Sequence, residues 1–220
     1  MRHIHLEQCD STQDALKEQL RLYPSEEILV STDHQLHGKG RQDRDWECFA
    51  GTLCFSFNVT PHKIISLTTL ELSLLVCAYF REKNKKIGLK WPNDLIDELG
   101  FKCGGILIQT YQGQYIAGVG LNLWPEGDYG GVYHQSFPLW KKDFCHELTD
   151  YIEENRIHDS ELLRKDWEQY CVHLNKKVTI TENGDANSGT FLGIGEYGEA
   201  LLSTESQQIK KIFNGTLRVI

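Results

Sequence analysis

The stretch from Cys103 to Trp124, CGGILIQTYQGQYIAGVGLNLW, places the tightest constraint on the fold. Two strand-like runs flank Gln112-Gly113, and a short connection containing glycine predicts a β-hairpin. The chain is therefore committed to a sheet with antiparallel neighbours. Upstream, GTLCFSFNV alternates, with Leu53, Phe55, Phe57 and Val59 on one side and Cys54, Ser56 and Asn58 on the other. That period predicts a half-buried strand, and EILVSTD suits a short buried one. Helices are expected from about Thr12 to Leu22, where Ser11 and Asp14 resemble a capping box, and over SLTTLELSLLVCAYFREKN with Ser66 as its cap. Two more are expected over roughly Leu139 to Asn155 and Ser160 to Leu174. From Asn175 the pattern changes to short strand-like runs, KKVTIT, GTFLGI, EALLST and QIKKIF, separated by Gly, Asn and Asp. The fold class is read as α+β: a mixed or antiparallel sheet flanked by helices over 1–174, then a small β domain over 175–220. A unit that small rarely stands alone, so it is expected to dock on the main body.

The string KWPNDL raises a different question. Trp91 precedes a proline, which pushes it to extended geometry, and Asn93 and Asp94 favour a turn. Lys90-Trp91 therefore reads as a strand end and Pro92-Asn93-Asp94 as its exit. Strand ends are common places for chemistry, but an ordinary turn wants the same residues.

Charge and cysteine usage narrow the class. The net charge is −8 with no long basic run. Duplex nucleic acid is disfavoured as a partner, because neutralising phosphates needs clustered Lys and Arg. The cysteines, Cys9, Cys48, Cys54, Cys77, Cys103, Cys145 and Cys171, are odd in number and scattered, with no C-x-x-C. That argues against a disulfide framework and a structural zinc site and fits a reducing cytoplasm. The N-terminus lacks an apolar signal core and no run approaches membrane length, so no membrane partner is expected. The nine histidines form no ligand-spaced pair, and no metal site is assigned to the protein.

Three glycine-rich stretches bear on ligands. HGKGRQDRDW alternates Gly38 and Gly40 with Lys39 and Arg41, and Arg44 follows. Glycine lets backbone N–H groups approach an anion, and the cations suit phosphate or carboxylate. A solvated surface loop, its charge partly offset by Asp43, is the competing reading. GIGEYG matches G-x-G-x-x-G, but the 22 residues after it are too few for a dinucleotide unit, so it reads as a strand with a tight turn. Gly104 and Gly105, after Lys102, would let a ligand approach a strand start.

Taken in order, these pieces resemble the biotin protein ligases, the biotin–[acetyl-CoA-carboxylase] ligases. DSTQ is similar to the family's S-T-N segment, and HQLHGKGRQDRDW to its Q-x-x-G-R-G-R-x-x-R-x-W adenylate loop. KWPNDL, KCGGIL and GVGLNL resemble three further family strings, and the C-terminal β module resembles its small SH3-like domain. The resemblance spans nearly the whole chain and is of the monofunctional type, without an N-terminal DNA-binding domain. Lys39 departs from the usual Arg, Asp43 from a neutral residue and Gln13 from Asn.

The resemblance implies an enzyme that activates biotin with ATP and Mg²⁺ to biotinyl-5'-AMP. It would then transfer biotin to a lysine of a biotin carboxyl carrier domain of acetyl-CoA carboxylase. Implied catalytic residues are Lys102, Arg41 and Asp94. Implied biotin contacts are Ser11, Thr12, Gln13, Gln35, Lys39, Gly40, Arg41, Lys102, Gly104 and Gly105. Implied nucleotide contacts are Lys39, Arg41, Arg44, Trp46, Asn93, Lys102 and Asn122. Residues 36–45 are expected to order over the ligand, since an acyl-adenylate must be kept from water. The rivals are a lipoate or octanoate ligase of the same superfamily and a catalytically dead scaffold that binds a small carboxylate.

Overall fold

A computed structural model describes residues 1–136 and 140–220, and of residue 43 the backbone alone. The chain runs β1 (Arg2–Cys9), α1 (Thr12–Leu22), β2 (Ile28–Gln35), β3 (Gly38–Lys39), β4 (Asp45–Trp46), β5 (Thr52–Val59), α2 (Thr68–Glu82), β6 (Gly88–Lys90), β7 (Asp94–Ile96), β8 (Lys102–Tyr111) and β9 (Gln114–Asn122). It continues through α3 (Lys141–Glu154), α4 (Ser160–Gln169), β10 (Lys177–Glu182), β11 (Asp185–Ile194), β12 (Ala200–Ser203), β13 (Ile209–Ile212) and β14 (Thr216–Val219).

Seven strands form one mixed sheet in the order β1-β2-β5-β9-β8-β7-β6. Among the described strands of this sheet, β1 and β2 pair in parallel and the other neighbours antiparallel. The β8–β9 hairpin turns at Gln112 and Gly113, both at positive φ (49° and 79°), with Tyr111 opposite Gln114. Two consecutive left-handed residues make the turn whose twist matches the flanking strands. The last five strands form a separate antiparallel sheet, β13-β12-β11-β10-β14. The sequence pattern showed four of these and missed β14, TLRV.

Several local expectations need correcting. The β5 strand is buried on both faces, Cys54 and Ser56 included, because α1 covers the side expected to meet solvent. Ser11 is the residue before α1 but makes no side-chain cap, and Asp14 turns to lysines instead. The Gln35 side chain takes the capping role, accepting from Thr12 N at 2.8 Å. Ser66 does not cap α2; it lies in a short 3-10 turn and the helix starts at Thr68. The helix at 160 ends at Gln169 rather than Leu174, while Asp159 caps it by accepting from Glu161 N and Leu162 N. Of the helix expected from Leu139, that first residue lies outside the described residues, and the described part begins at Lys141.

The α2 helix is apolar nearly all round because it is sandwiched between the sheet and the pair α3 and α4. GIGEYG is the β11–β12 turn. Its Gly198, at φ +80°, leaves no room for a Cβ beside Leu70, and its carbonyl accepts from Trp91 Nε1 at 3.0 Å. Trp91 is 1% exposed, so the KWPNDL tryptophan pins the C-terminal sheet to the main body.

His173 is fully buried at the same junction, against Phe191 and Trp167. Burial, with Lys90 and Lys176 nearby, pushes its imidazole pKa down to about 3. The unfolded chain takes up this proton near the ordinary ~6.5 and the native chain not until about 3. This contribution is intact above about pH 6.5 and is lost as pH falls towards 3, by up to ~1.4 kcal/mol per pH unit. His173→Leu should flatten that part of the decline, read from urea midpoints measured across the window.

Candidate functional site

The seven-stranded sheet and the smaller one meet around an open cleft of about 920 Å³, solvent included. Its floor is β9, where Gly118 and Gly120 point to one face. A Cβ at Gly120 would lie 2.3 Å from the Trp46 ring, and one at Gly118 would lie 2.8 Å from the Gln13 amide. The G-x-G spacing thus makes room for Trp46 and Gln13, whose Nε2 donates to Leu107 O at 3.0 Å.

One end of the cleft is polar and uncharged. Thr12 Oγ1 donates to Gln35 Oε1 at 3.1 Å and lies 2.8 Å from Ser56 Oγ. Ser11 lines the same end. These side chains arrive from the start of α1, the end of β2 and the middle of β5.

The other end carries five cations, Lys39, Arg41, Arg44, Lys90 and Lys102, against two carboxylates, Asp45 and Asp94. Lys102 Nζ pairs with Asp94 Oδ1 at 2.6 Å and sits 5.3 Å from the centre of the Trp46 ring. Lys90 Nζ reaches Asp94 Oδ2 at 3.7 Å. Asp94 begins β7 directly after the turn, opposite Lys90 and Gly105 on the neighbouring strands. The Trp91–Pro92 peptide between them is cis.

The glycine-rich loop folds as a small hairpin over this end. Gly38 pairs with Trp46 and Lys39 with Asp45, and Gly40 N donates to Arg44 O at 2.7 Å. Arg41 Nη1 donates to Asn93 Oδ1 and to Gly215 O, each at 3.3 Å, and Nη2 donates to Asn214. Arg44 Nη2 donates to Thr216 Oγ1 at 3.2 Å. Burial holds the Arg41 pKa below its ordinary value, and Asp94 offsets only part of this; a guanidinium stays charged regardless. The Lys39 ammonium is tied to Asp14, which also holds Lys17 at 3.0 Å. Burial alone would raise the Asp14 carboxyl, but the two lysines outweigh it and hold it below its ordinary range.

The fold brings together Ser11, Thr12, Gln13, Gln35, Lys39, Gly40, Arg41, Arg44, Trp46, Asn93, Asp94, Lys102 and Gly105 on one cleft. Two residues expected with them lie elsewhere. Asn122 is buried and accepts from Thr52 Oγ1 at 2.9 Å. A Cβ on Gly104 would strike Leu121 and Leu95, so that glycine serves close strand packing. The expectation about Asp43 concerns a side chain outside the described residues. Sequence reasoning missed Ser56, Gly118, Gly120, Gly215, Thr216 and Leu217 as lining residues. Only the two β9 glycines carried a local signal, two glycines spaced by one inside an apolar strand.

A family profile described as the biotin/lipoate A/B protein ligase family matches residues 6–123, more than half of the chain. The chain belongs to this family. Biotin--protein ligase 2 of Arabidopsis thaliana is 35% identical over 126 residues, covering 51% of this chain and 38% of that protein. The bifunctional ligase/repressor BirA of Bacillus subtilis is 24% identical over an alignment of 247 positions, covering 98% of this chain and 73% of that protein. Among solved structures, the biotin protein ligase from Aquifex aeolicus in complex with biotin and ATP superposes with a TM-score of 0.80 at 24% identity. That match covers 100% of this chain and 99% of the other. At this identity the likeness speaks for the fold. No helix among the described residues is long and apolar enough to cross a membrane.

Proposed function

We propose that this member of the family is an ATP-dependent biotin ligase, with its site in the cleft between the two sheets. One observation carries the reading: an uncharged hydrogen-bonding end and a five-cation end share a single cleft. A ureido ring is neutral and needs hydroxyl and amide partners, as Ser11, Thr12, Gln35 and Ser56 provide. A carboxylate and a triphosphate are both anionic and repel, so their encounter needs converging positive charge.

In the first step the biotin carboxylate oxygen attacks the α-phosphorus of ATP and pyrophosphate leaves. Lys102 and Arg41 face the oxygens where charge accumulates, and Asp94 orients Lys102 through the 2.6 Å ion pair. In the second step an acceptor lysine amine attacks the acyl carbon and AMP leaves; no enzyme nucleophile is required. The acceptor would be a biotin carboxyl carrier domain. Mg²⁺ fits as an ion carried by phosphate oxygens and water. Both Asp94 oxygens face lysines and the Asn93 oxygen accepts from Arg41, so the ion would be held by the triphosphate and water and would supply charge neutralisation there. Trp46 and the loop over residues 36–45 shield the anhydride from water.

Thermal stability tests this reading. Biotin at about a hundred times its Kd should add ~2.7 kcal/mol. Biotin with ATP and Mg²⁺ should add more and release pyrophosphate. Stabilisation by lipoate in place of biotin would reassign the substrate, and no shift with any of these ligands would remove the site assignment.

A further inference from the structure

One pair of side chains at the edge of the cleft has no part in the chemistry above. Cys48 follows β4, at the foot of the loop hairpin, and Cys54 lies two residues before Ser56 on β5. Their sulfur atoms are 2.6 Å apart, although both thiols are free. Cys54 is buried and Cys48 is partly exposed. Gln35 Nε2 donates to Cys48 Sγ at 3.4 Å, and the same amide's Oε1 holds the backbone and hydroxyl of Thr12. The thiol pair therefore sits one residue behind the polar end of the cleft.

We propose that Cys48 and Cys54 are a modification site, a dithiol that closes to a reversible disulfide under peroxide and releases Gln35 when it does.

The two sulfurs have different environments. Cys48 is the one cysteine of the seven whose thiol is held below its ordinary pKa, first by its hydrogen bond with Cys54, while burial and neighbouring groups raise the other six. The thiolate is the nucleophile, so the partly exposed Cys48 attacks the peroxide first. Its sulfur displaces one oxygen of hydrogen peroxide: the O–O bond breaks, an S–O bond forms, and the other oxygen leaves as water. Cys54 sulfur then attacks the sulfenic sulfur. The S–S bond forms, the S–O bond breaks, and the oxygen leaves as a second water with the Cys54 proton, the Cys48 proton having gone into the first. Two thiols are oxidised by two electrons and one peroxide is reduced. A small dithiol reverses the step by thiol–disulfide exchange. Bond formation shifts Cys48 Sγ from its place beside the Gln35 amide, so that Gln35 is held by its two bonds from Thr12 alone.

Trypsin makes the test direct, because residues 45–63 form one tryptic peptide holding both cysteines and no others. The reduced full-length chain is titrated with hydrogen peroxide, alkylated and digested. The expected product is that peptide lighter by two hydrogens, unalkylated, and restored by dithiothreitol. Cys54→Ser should instead leave a sulfenic acid on Cys48 that dimedone traps. Recovery of both cysteines alkylated, over-oxidation of Cys48 beside an alkylated Cys54, or absence of dimedone labelling in C54S would each overturn the proposal.

The consequence for ligation rests on the proposed function. Pyrophosphate release with biotin and ATP should fall several-fold in the cross-linked protein and recover on reduction. A cross-link that leaves the rate unchanged overturns the coupling to Gln35. Silence of the reduced and oxidised forms alike would count against the ligase reading, and the peptide map alone would then decide the cross-link.

Discussion

Lys102→Ala is expected to slow biotin-dependent pyrophosphate release by about 10²–10³-fold, the usual loss when one positioned charge donor is removed from a developing anion. The lysine stands at the start of β8, with its ammonium between Asp94 and the Trp46 ring. It is the cation in the cleft that both ties to Asp94 at hydrogen-bond distance and faces the loop tryptophan. The fold should survive, because Lys102 is partly exposed and the β7–β8–β9 ladder does not use its side chain. Single-turnover pyrophosphate release beside a thermal melt separates the two effects. An unchanged melt with a rate within a few-fold of the native chain would move the catalytic role away from Lys102. Asp94→Asn gives a graded comparison, since it leaves the lysine in place and removes the carboxylate that orients it.

The largest stability effect is expected far from the cleft. Glu71 on α2 is fully buried in a nearly apolar helix. Arg156, just after α3, meets it with two parallel bonds, Nε to Oε1 at 2.7 Å and Nη2 to Oε2 at 2.8 Å, and Ile157 N adds a third at 2.9 Å. Glu71→Ala leaves the guanidinium without its carboxylate in a mostly buried position and should cost ~3–5 kcal/mol, visible in the urea midpoint. Glu71→Leu combined with Arg156→Leu should recover most of that loss, because replacing a buried pair with apolar side chains is often neutral. If the double variant were as unstable as the single one, the pair would be holding the α3 exit through its backbone contacts rather than its charge.

Much of the fold was legible because hydrophobic periodicity and turn chemistry are local. The β8–β9 hairpin follows from Gln112-Gly113, which must take positive φ on the correct side of the sheet twist. The α1 helix follows from Leu16 and Leu20 on one face, both buried. The errors came where a neighbour distant in sequence supplied the missing group. Ser11 was free to line the cleft because Gln35, 23 residues on from Thr12, caps the helix instead. The β5 strand alternates as a half-exposed strand would, yet α1 buries its polar face, so Cys54 and Ser56 became interior groups.

The site divides in the same way. Lys102, Asp94, Arg41 and the glycine loop stood out in the sequence because each sits in a string that resembles a family motif in the right order, although an ordinary turn or surface loop would use the same residues. Asn122 and Gly104 belonged to equally suggestive strings, but the strand register turned both towards the interior. Gly215 and Thr216 were invisible, since a short N-G-T turn carries no mark of the arginines it will meet. The sequence alone determined the family, the α+β class and most of the charged groups, because those rest on residue type and spacing along one segment. Tertiary structure alone decided which faces are buried, which carboxylate holds which lysine, and that the C-terminal sheet closes the cleft. Those outcomes depend on contacts between segments up to 174 residues apart, and no local pattern encodes such a distance.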